Sequence, residues 1–357
     1  MGKNNATVSL IVPIFHTASL VNCIDSIVNQ SYRDLEIILI NGCLSEESVM
    51  ICQTFAEKDT RIVLLEAETP HIVSALNYGL AYASGEFVQF VSAEDYIDGE
   101  MTEKLVAKMD CDTQLVLCGY REIEYRNRRF FTEETIPQTA GRYLKHEFME
   151  RIDLLPHQFL LFSPNNKLYR NEVIQNNQIK FPGSLYLEAT AFFNLAYWEK
   201  TVGMHAIAEP LYHFTSSAYE SGQIPLHSQF ESRQKLYQQV ENLLKANNTF
   251  HGKNKVLLQR MRANFTLSML DSLFDPANTL ASIQKKGIIS EWLMNSDMQH
   301  SMQYPNNSMQ EKAVASMLKT HNVQGIYSYF KTKHLLKRPM SPFYHLWKKS
   351  RSARKLS

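Results

Sequence analysis

The sequence predicts an α/β protein in which a mostly parallel sheet has helices on both faces and is followed by a helical extension. Two observations predict this fold. Apolar, β-branched runs alternate with segments of helical periodicity over the first third of the chain, and beyond Gln229 the periodicity is helical. The chain has 357 residues, 44% of them apolar, which is enough for one large domain or two ordinary ones.

The strands and helices of the first third follow one another in strict order. Strands are predicted in the apolar runs TVSLIVPIF, LEIILI, RIVLLE and EFVQFV. Helices are predicted between them in SLVNCIDSIVNQ, SEESVMICQTFAEKD and HIVSALNYGLAYASG, where apolar residues recur at helical spacing. Ser45 is the predicted N-cap of the second helix, and Gly85 suits the C′ position of the third. A helix in MTEKLVAKM and a strand in TQLVLCGYREIEY complete the pattern.

Three polar segments follow predicted strands, namely PIFHT, NGCLSEE and SAEDY. In sheets of this kind ligands bind beyond the carboxyl ends of the strands. The order of the elements therefore predicts one pocket lined by these three segments.

The later part of the chain divides by its patterns. We expect the α/β domain to cover residues 1–217, the helical extension residues 218–330 and a basic tail residues 331–357. FESRQKLYQQVENLLKA is typical of the extension, because its leucines and valine share one helix face.

Charge and cysteine content exclude some classes of protein. Residues 1–330 carry 28 basic against 36 acidic residues, which argues against nucleic acid as a partner. The five cysteines are odd in number and lack a C-x-x-C spacing, which favours buried thiols in a reducing compartment. MGKNNATVSL has no apolar signal region, and the chain has no uncharged apolar run of 18 residues. We expect a cytoplasmic protein, bound at most to the inner face of the cell membrane.

Taken in order over residues 7–217, the motifs resemble family 2 glycosyltransferases of the GT-A fold, especially bacterial ones that build surface polysaccharides. The resemblance is carried by VSLIVPIFHTASLVNCIDSIVNQSYRDLEIILI, LNYGLAYASGEFVQFV, NNKLYR and PLYHF. It implies a nucleotide-sugar ligand, usually a UDP-sugar, and transfer of the sugar to an acceptor hydroxyl with inversion. It also implies a divalent metal, usually Mg or Mn.

The resemblance assigns donor binding to seven residues: Pro13, Phe15, His16, Asn41, Asn77, Ser92 and Glu94. His16 has an exposed loop residue as its equal alternative. The donor motifs depart from the family. Where the family reads Asp-Asp-Gly-Ser, this chain reads Asn41-Gly42-Cys43-Leu44, and an Arg that often precedes the Asn of the third helix is Leu76. An amide can still bind a base, whereas Gly42 has no side chain to do so.

The family's metal-binding Asp-x-Asp is Ser92-Ala93-Glu94 here. In an extended segment Ser92 and Glu94 point to one side and Asp95 to the other, so one carboxylate remains on the metal-facing side. Metal candidates are Glu94, Asp95 and His213, the last with a packed core histidine as its alternative. We expect Mg or Mn binding to be weak or absent.

The catalytic base of the family is the Asp of a Glu-Asp pair, which here reads Glu188-Ala189. Alanine accepts no proton, and a positioned base contributes about 10²–10⁴-fold to the rate. Two hypotheses follow. The first is a pseudoenzyme that binds or stabilises an active glycosyltransferase paralogue in a hetero-oligomer. The second is an active but atypical inverting transferase in which Glu188 is a displaced base.

The basic tail contains nine Lys/Arg and no Asp/Glu, interleaved with aromatic residues that include Phe343 and Trp347. Basic residues with aromatic anchors suit an anionic membrane surface, and the alternative is a solvated extension.

Overall fold

A computed structural model of the chain describes residues 6–15, 18–42, 45–67, 71–126, 129–155, 158–183, 186–215, 226–276, 278–295 and 309–337. The chain forms two compact units. The first is Met1–Ile224 with Gln238–Phe250, and the second is Pro225–Tyr237 with His251–Ser357. Each unit has its own buried apolar core.

The described strands all belong to the first unit: β1 Val8–Ile14, β2 Leu35–Asn41, β3 Ile62–Glu66, β4 Phe87–Phe90, β5 Tyr96–Ile97, β6 Leu115–Arg126, β7 Arg129–Thr135, β8 Gly141–Leu144, β9 Lys167–Arg170 and β10 Gly203–Thr215. Its helices are α1 Leu20–Val28, α2 Glu46–Ala56, α3 Ile72–Tyr82, α4 Met101–Val106, α5 Lys145–Glu150, α6 Gln158–Phe162, α7 Asn171–Asn176 and α8 Tyr186–Lys200. The remaining helices are α9 Leu226–Ala246, α10 Gly252–Ser272, α11 Ser282–Leu293, α12 Met309–Lys319 and α13 Val323–Lys337.

The strands form one sheet in the order β3-β2-β1-β4-β9-β6-β10-β5, with β7 beside β6 and β8 beside β10. Strands β1 to β4 pair in parallel, as do β6 and β10, while β9 runs antiparallel to both β4 and β6. The predicted α/β class with a mostly parallel central sheet and C-terminal helices is confirmed. The antiparallel strand β9 was not predicted from the sequence.

The core of the first unit is centred on β1, whose seven residues are all buried. Helix α3 crosses β1 and β2 closely because residue 79 is glycine. A Cβ at Gly79 would lie 2.5 Å from Ile11 Cγ2 and 2.8 Å from Ile40 Cδ1. Any side chain there would push α3 away from the sheet.

The predicted helix ends are partly correct. Ser45 caps α2 as predicted, since its Oγ accepts a hydrogen bond from Ser48 N at 3.1 Å. Gly85 is not the C′ residue of α3, because that helix ends at Tyr82 with Ala83 as its C-cap. Residue 85 is glycine because the chain passes close to the backbone of Thr7 there: a Cβ at Gly85 would lie 2.7 Å from the Thr7 carbonyl oxygen.

The second unit is helical. Its buried cluster includes Phe230 and Trp292, whose rings stack with centroids 4.9 Å apart. No described helix is long and apolar enough to cross a membrane. The proposed boundary after residue 217 lies outside the described residues, and the basic tail is described only for residues 331–337, which form the end of α13. The three-part division stays a prediction.

Lys167 is a buried cation in the first unit, held by three acceptors. Its Nζ donates to Leu160 O at 2.8 Å, Ser163 O at 2.5 Å and Asn166 Oδ1 at 3.0 Å. Burial lowers the pKa of this lysine to about 7. The three acceptors match the three hydrogens of an ammonium group, so the side chain cross-links α6, the segment after it and β9.

Replacing this lysine should destabilise the chain strongly. Lys167→Met keeps the apolar stem but leaves three buried oxygens without their donor, so we expect the free energy of unfolding to fall by about 3 kcal/mol or more. Urea unfolding of the full chain measures this, with Lys180→Met at an exposed position as the matched control. Equal midpoints for the two variants would contradict this view of Lys167.

Candidate active site

The candidate site lies where β1, β2 and β4 end, because these parallel strands point their carboxyl ends to the same edge. Pro13 pairs with Ile40 and Ile14 with Asn41, so Phe15 and Gly42 are the first residues beyond the two strands. Pro13 and Asn41 are buried, and Phe15 is half-buried. His16, Cys43 and Leu44 lie outside the described residues.

The ring of Phe15 packs directly on Gly42. A Cβ built on Gly42 would lie 2.4 Å from Phe15 Cζ and 2.5 Å from Cε1, closer than such atoms approach. The ring therefore fills the space in which a side chain at residue 42 would begin. The contact was not predicted from the sequence. The one sequence feature that could have indicated it is the glycine directly after β2, which leaves room for a neighbouring side chain.

The two asparagines assigned to donor binding are hydrogen-bonded within the unit. Asn41 Oδ1 accepts from Ser48 Oγ at 3.2 Å, which links β2 to the first turn of α2. Asn77 makes a reciprocal pair with the backbone of Phe181: its Nδ2 donates to the carbonyl at 2.8 Å, and its Oδ1 accepts from the N–H at 2.9 Å. Both amides thus position the chain, and their donor-binding role stays a prediction.

The acidic turn after β4 alternates in burial. Ser92 and Glu94 are half-buried, whereas Ala93 and Asp95 are buried at 3% and 2% exposure. The turn is closed by a hydrogen bond from Asp95 N to Ser92 O at 3.0 Å. The side chains of Ser92 and Glu94 therefore lie on the opposite side from Asp95.

The Asp95 carboxylate faces β10. It accepts a short hydrogen bond from the Tyr212 hydroxyl and a second from Thr215 N at 2.9 Å. The same hydroxyl accepts from Ser92 N at 3.3 Å. Burial raises the pKa of Asp95 to about 7, even though both hydrogen bonds favour the ionised form. Tyr212 and Thr215 were not among the predicted site residues, although Tyr212 lies in the PLYHF motif.

His213 is packed beside the same turn. Its ring stacks on Tyr96 with centroids 4.3 Å apart and planes 8° from parallel, and it is 6% exposed. Burial lowers its pKa, so the ring is neutral at pH 7. Its Nδ1 has no hydrogen-bond partner among the described residues. This packing agrees with the core alternative, while the metal role stays a prediction.

Helix α8 begins at Tyr186 and carries the pair Glu188-Ala189 in its first turn. Ala189 is fully buried, and Glu188 is half-buried. The helix is fixed by Asn194, which accepts from Tyr169 Oη at 2.7 Å and donates to Phe162 O at 2.8 Å. A rotation of α8 that would turn residue 189 outward would break these buried bonds.

Comparison with known proteins identifies the domain. Residues 9–177 match the model of the family described as Glycosyl transferase family 2. This part of the chain is a family 2 glycosyltransferase domain. EpsH of Bacillus subtilis, named as a glycosyltransferase, is 27% identical over 253 residues, which cover 70% of this chain and 72% of EpsH. EpsJ of the same species, also named a glycosyltransferase, is 26% identical over 235 residues, 65% of this chain and 67% of EpsJ.

The fold is shared with a solved glycosyltransferase. The crystal structure of Staphylococcus aureus TarS residues 1–349 superposes with a TM-score of 0.63 at 15% identity, covering 94% of this chain and 93% of that chain. By sequence, TarS, a poly(ribitol-phosphate) beta-N-acetylglucosaminyltransferase, is 22% identical over 226 residues, 60% of this chain and 37% of TarS. The likeness confirms the GT-A fold.

The described part of the domain does not by itself supply a full set of metal ligands. The described residues contain no group of three or more His, Cys, Asp or Glu side chains placed to hold an ion. Because Asp95 is bound to Tyr212 and Thr215, the outer side of the turn offers the Glu94 carboxylate and the Ser92 hydroxyl. Magnesium takes six ligands and is usually held by one or two carboxylates together with substrate phosphates. These two residues do not fit a metal on their own.

We predict that Asp95 makes the stability of the domain depend on pH. A carboxyl group whose pKa rises on folding from 3.8 to about 7 binds its proton more tightly in the folded chain. The free energy of unfolding should therefore fall as the pH rises from about 4 to 7, by a few kcal/mol at about 1.4 kcal/mol per unit of pKa shift. Asp95→Asn should flatten this dependence in urea titrations. The exposed Asp25→Asn is the control, and an unchanged slope in Asp95→Asn would show that another group titrates.

We predict that an acidic residue cannot be returned to position 42 alone. Gly42→Asp must displace the Phe15 ring and should cost about 1–3 kcal/mol of stability. Gly99→Asp is the matched control, because a Cβ there meets nothing within 4 Å. Phe15→Ala combined with Gly42→Asp should be more stable than the sum of the single changes by about 1 kcal/mol. Additive effects in this double-mutant cycle would refute the contact.

Proposed function

We propose that the chain is a catalytically degenerate family 2 glycosyltransferase of surface-glycan assembly, which acts by binding and stabilising an active glycosyltransferase. The observation that carries the proposal is Ala189. By the resemblance, this residue corresponds to the family's catalytic base, and its methyl group is fully buried on a helix whose orientation is fixed. No proton can be taken at this position, and a carboxylate could be placed there only by burying it.

The donor side supports the same proposal. Gly42 is covered by Phe15, and the buried Leu76 replaces a phosphate-pairing arginine. One carboxylate, Glu94, remains on the outer side of the metal turn. Each change weakens the binding of a nucleotide diphosphate by a different route, so weak metal-dependent nucleotide binding is expected.

Relatives support a role in surface glycans. TarS is named for the modification of poly(ribitol-phosphate). GgaB of Bacillus subtilis, named a minor teichoic acid biosynthesis protein, is 32% identical over 110 residues, 30% of this chain and 12% of GgaB. The proposed site of action is the cytoplasmic face of a bacterial membrane, with an active paralogue as the partner.

The second candidate is an active, atypical inverting transferase with a UDP-sugar donor. Glu94 supports it, because this half-buried residue lies on the side of the turn opposite Asp95, and a carboxylate can hold a metal together with nucleotide phosphates. A second observation is the fold likeness, at a TM-score of 0.61, to TarS crystallised with UDP-GlcNAc. In this candidate Glu188, half-buried in the first turn of α8, is the displaced base.

Calorimetry and turnover assays on the full chain separate the two candidates. We expect UDP and UDP-GlcNAc to bind weakly, with Kd near or above about 1 mM or about −4 kcal/mol, and Mn²⁺ to add little. We also expect turnover far below the ordinary range of about 1–10³ s⁻¹. Tight UDP binding that vanishes with a chelator and with Glu94→Gln, together with ordinary turnover, would establish the second candidate.

Restoring the family residues sharpens the same test. Ser92→Asp with Glu94→Asp should raise Mn²⁺-dependent UDP affinity, because it returns two carboxylates to the outer side of the turn. Adding Ala189→Asp should lower the melting temperature, because it buries a carboxylate at a fully buried position. If the triple variant were as stable as the double and gained full activity, the chain would be three substitutions from an enzyme, and burial at position 189 would not be the obstacle to catalysis that is proposed here.

A further inference from the structure

A cluster of lysines surrounds one tyrosine in the second unit. Lys286 on α11 and Lys331 on α13 place their Nζ atoms 5.0 Å and 5.7 Å from the centre of the Tyr327 ring. Helices α11 and α13 pack against each other, and a hydrogen bond from Ser282 together with the nearby lysines lowers the pKa of Tyr327. Cations are thus concentrated at one place where two helices meet.

This positive charge is not neutralised within the described residues. Lys333 is paired with Asp271 at 3.0 Å, but no described carboxylate pairs with Lys286 or Lys331. Helices α11 and α13 together contain five lysines and one acidic residue, and residues 338–357 add six Lys/Arg without an acidic residue. An unpaired basic cluster of this density attracts anions.

Two large apolar side chains lie one helical turn from these lysines and are exposed to solvent. Ile283 is 80% exposed and lies three residues before Lys286; Leu335 is 45% exposed and lies four residues after Lys331. Spacings of three and four residues put each pair on one helix face. We call the surface formed by Ile283, Lys286, Tyr327, Lys331 and Leu335 the basic face.

We propose that the basic face binds an anionic membrane surface, with the lysines contacting lipid phosphates and the two apolar side chains entering the headgroup region. A soluble anion would pair with the lysines and leave the exposed isoleucine and leucine in water. A lipid surface accommodates both, because it offers phosphates above acyl chains.

The proposal is independent of catalytic activity and does not require the tail residues beyond α13. Each lysine near an anionic membrane contributes up to about 1 kcal/mol, and exposed apolar groups supply the second signal that stable anchoring needs. The alternative role of the lysines is structural, since cation–π contacts stabilise a fold by about 0.5–1 kcal/mol at exposed sites. Measuring stability and binding in the same variants separates these roles.

The test is co-sedimentation of the full chain with vesicles rich in phosphatidylglycerol or made of phosphatidylcholine alone. Wild type should bind the anionic vesicles and dissociate as salt is raised. Lys286→Glu with Lys331→Glu, in the chain that keeps its tail, should weaken binding by at least about 10-fold. The matched control, Lys58→Glu with Lys108→Glu, makes the same charge change at exposed positions of the first unit and should bind like wild type.

The apolar contribution is tested separately. Ile283→Ser with Leu335→Ser removes no charge and should weaken binding to anionic vesicles by about 10-fold, whereas Met50→Ser, at a side chain 63% exposed in the first unit, should not. Unchanged melting temperatures would show that the fold is kept.

Three results would overturn the proposal. The first is equal vesicle binding by the Lys286→Glu/Lys331→Glu variant and wild type. That result would assign any binding to the residues beyond α13. The second is binding to soluble polyphosphate with none to vesicles, which would assign the face to a polyanion. The third is a combined result: the lysine and the apolar double variants both unfold, and Lys331→Gln binds vesicles like wild type. That result would show that the lysines stabilise the fold and do not bind the membrane.

Discussion

Asp95 accepts hydrogen bonds from the Tyr212 hydroxyl and the Thr215 backbone, and through them the turn after β4 is fixed to β10. The conformation of the acidic turn depends on this link. Because Tyr212 also accepts from Ser92 N, both ends of the four-residue turn are held by one side chain. The orientation of Glu94 is a result of this arrangement: with Asp95 turned inward, Glu94 must face outward. A short strand pair, Tyr96 with His213, extends the same connection.

The fold could be predicted from the sequence because its main signals are local. β1 and β2 are continuous apolar runs, and the Ser45 cap is a short-range pattern that needs no tertiary information. Gly85 was given the wrong role because a glycine shortly after a helix can either end the helix or allow another segment to pack closely. Only the position of the Thr7 carbonyl oxygen, nearly eighty residues away, shows that close packing is the reason for it.

The position of the site could be predicted from the sequence, but the hydrogen bonds that form it could not. Alternation along an extended segment placed Asp95 opposite Glu94, and the structure adds what Asp95 binds. Its partners Tyr212 and Thr215 are more than a hundred residues away, so no local pattern could name them. Asn77 shows the same limit: its amide pairs with Phe181, which follows it by 104 residues. This pair forms only when α3 and the segment that follows α7 come together in the folded chain.

The packing of Phe15 on Gly42 makes the two positions epistatic. An acidic residue and a ring in this place exclude each other, so the effect of changing one position depends on which residue occupies the other. A side chain can be restored at position 42 without loss of stability only if residue 15 changes with it. Residues at the ends of two neighbouring strands are thus constrained as a pair, and neither position can be interpreted, or redesigned, without the other.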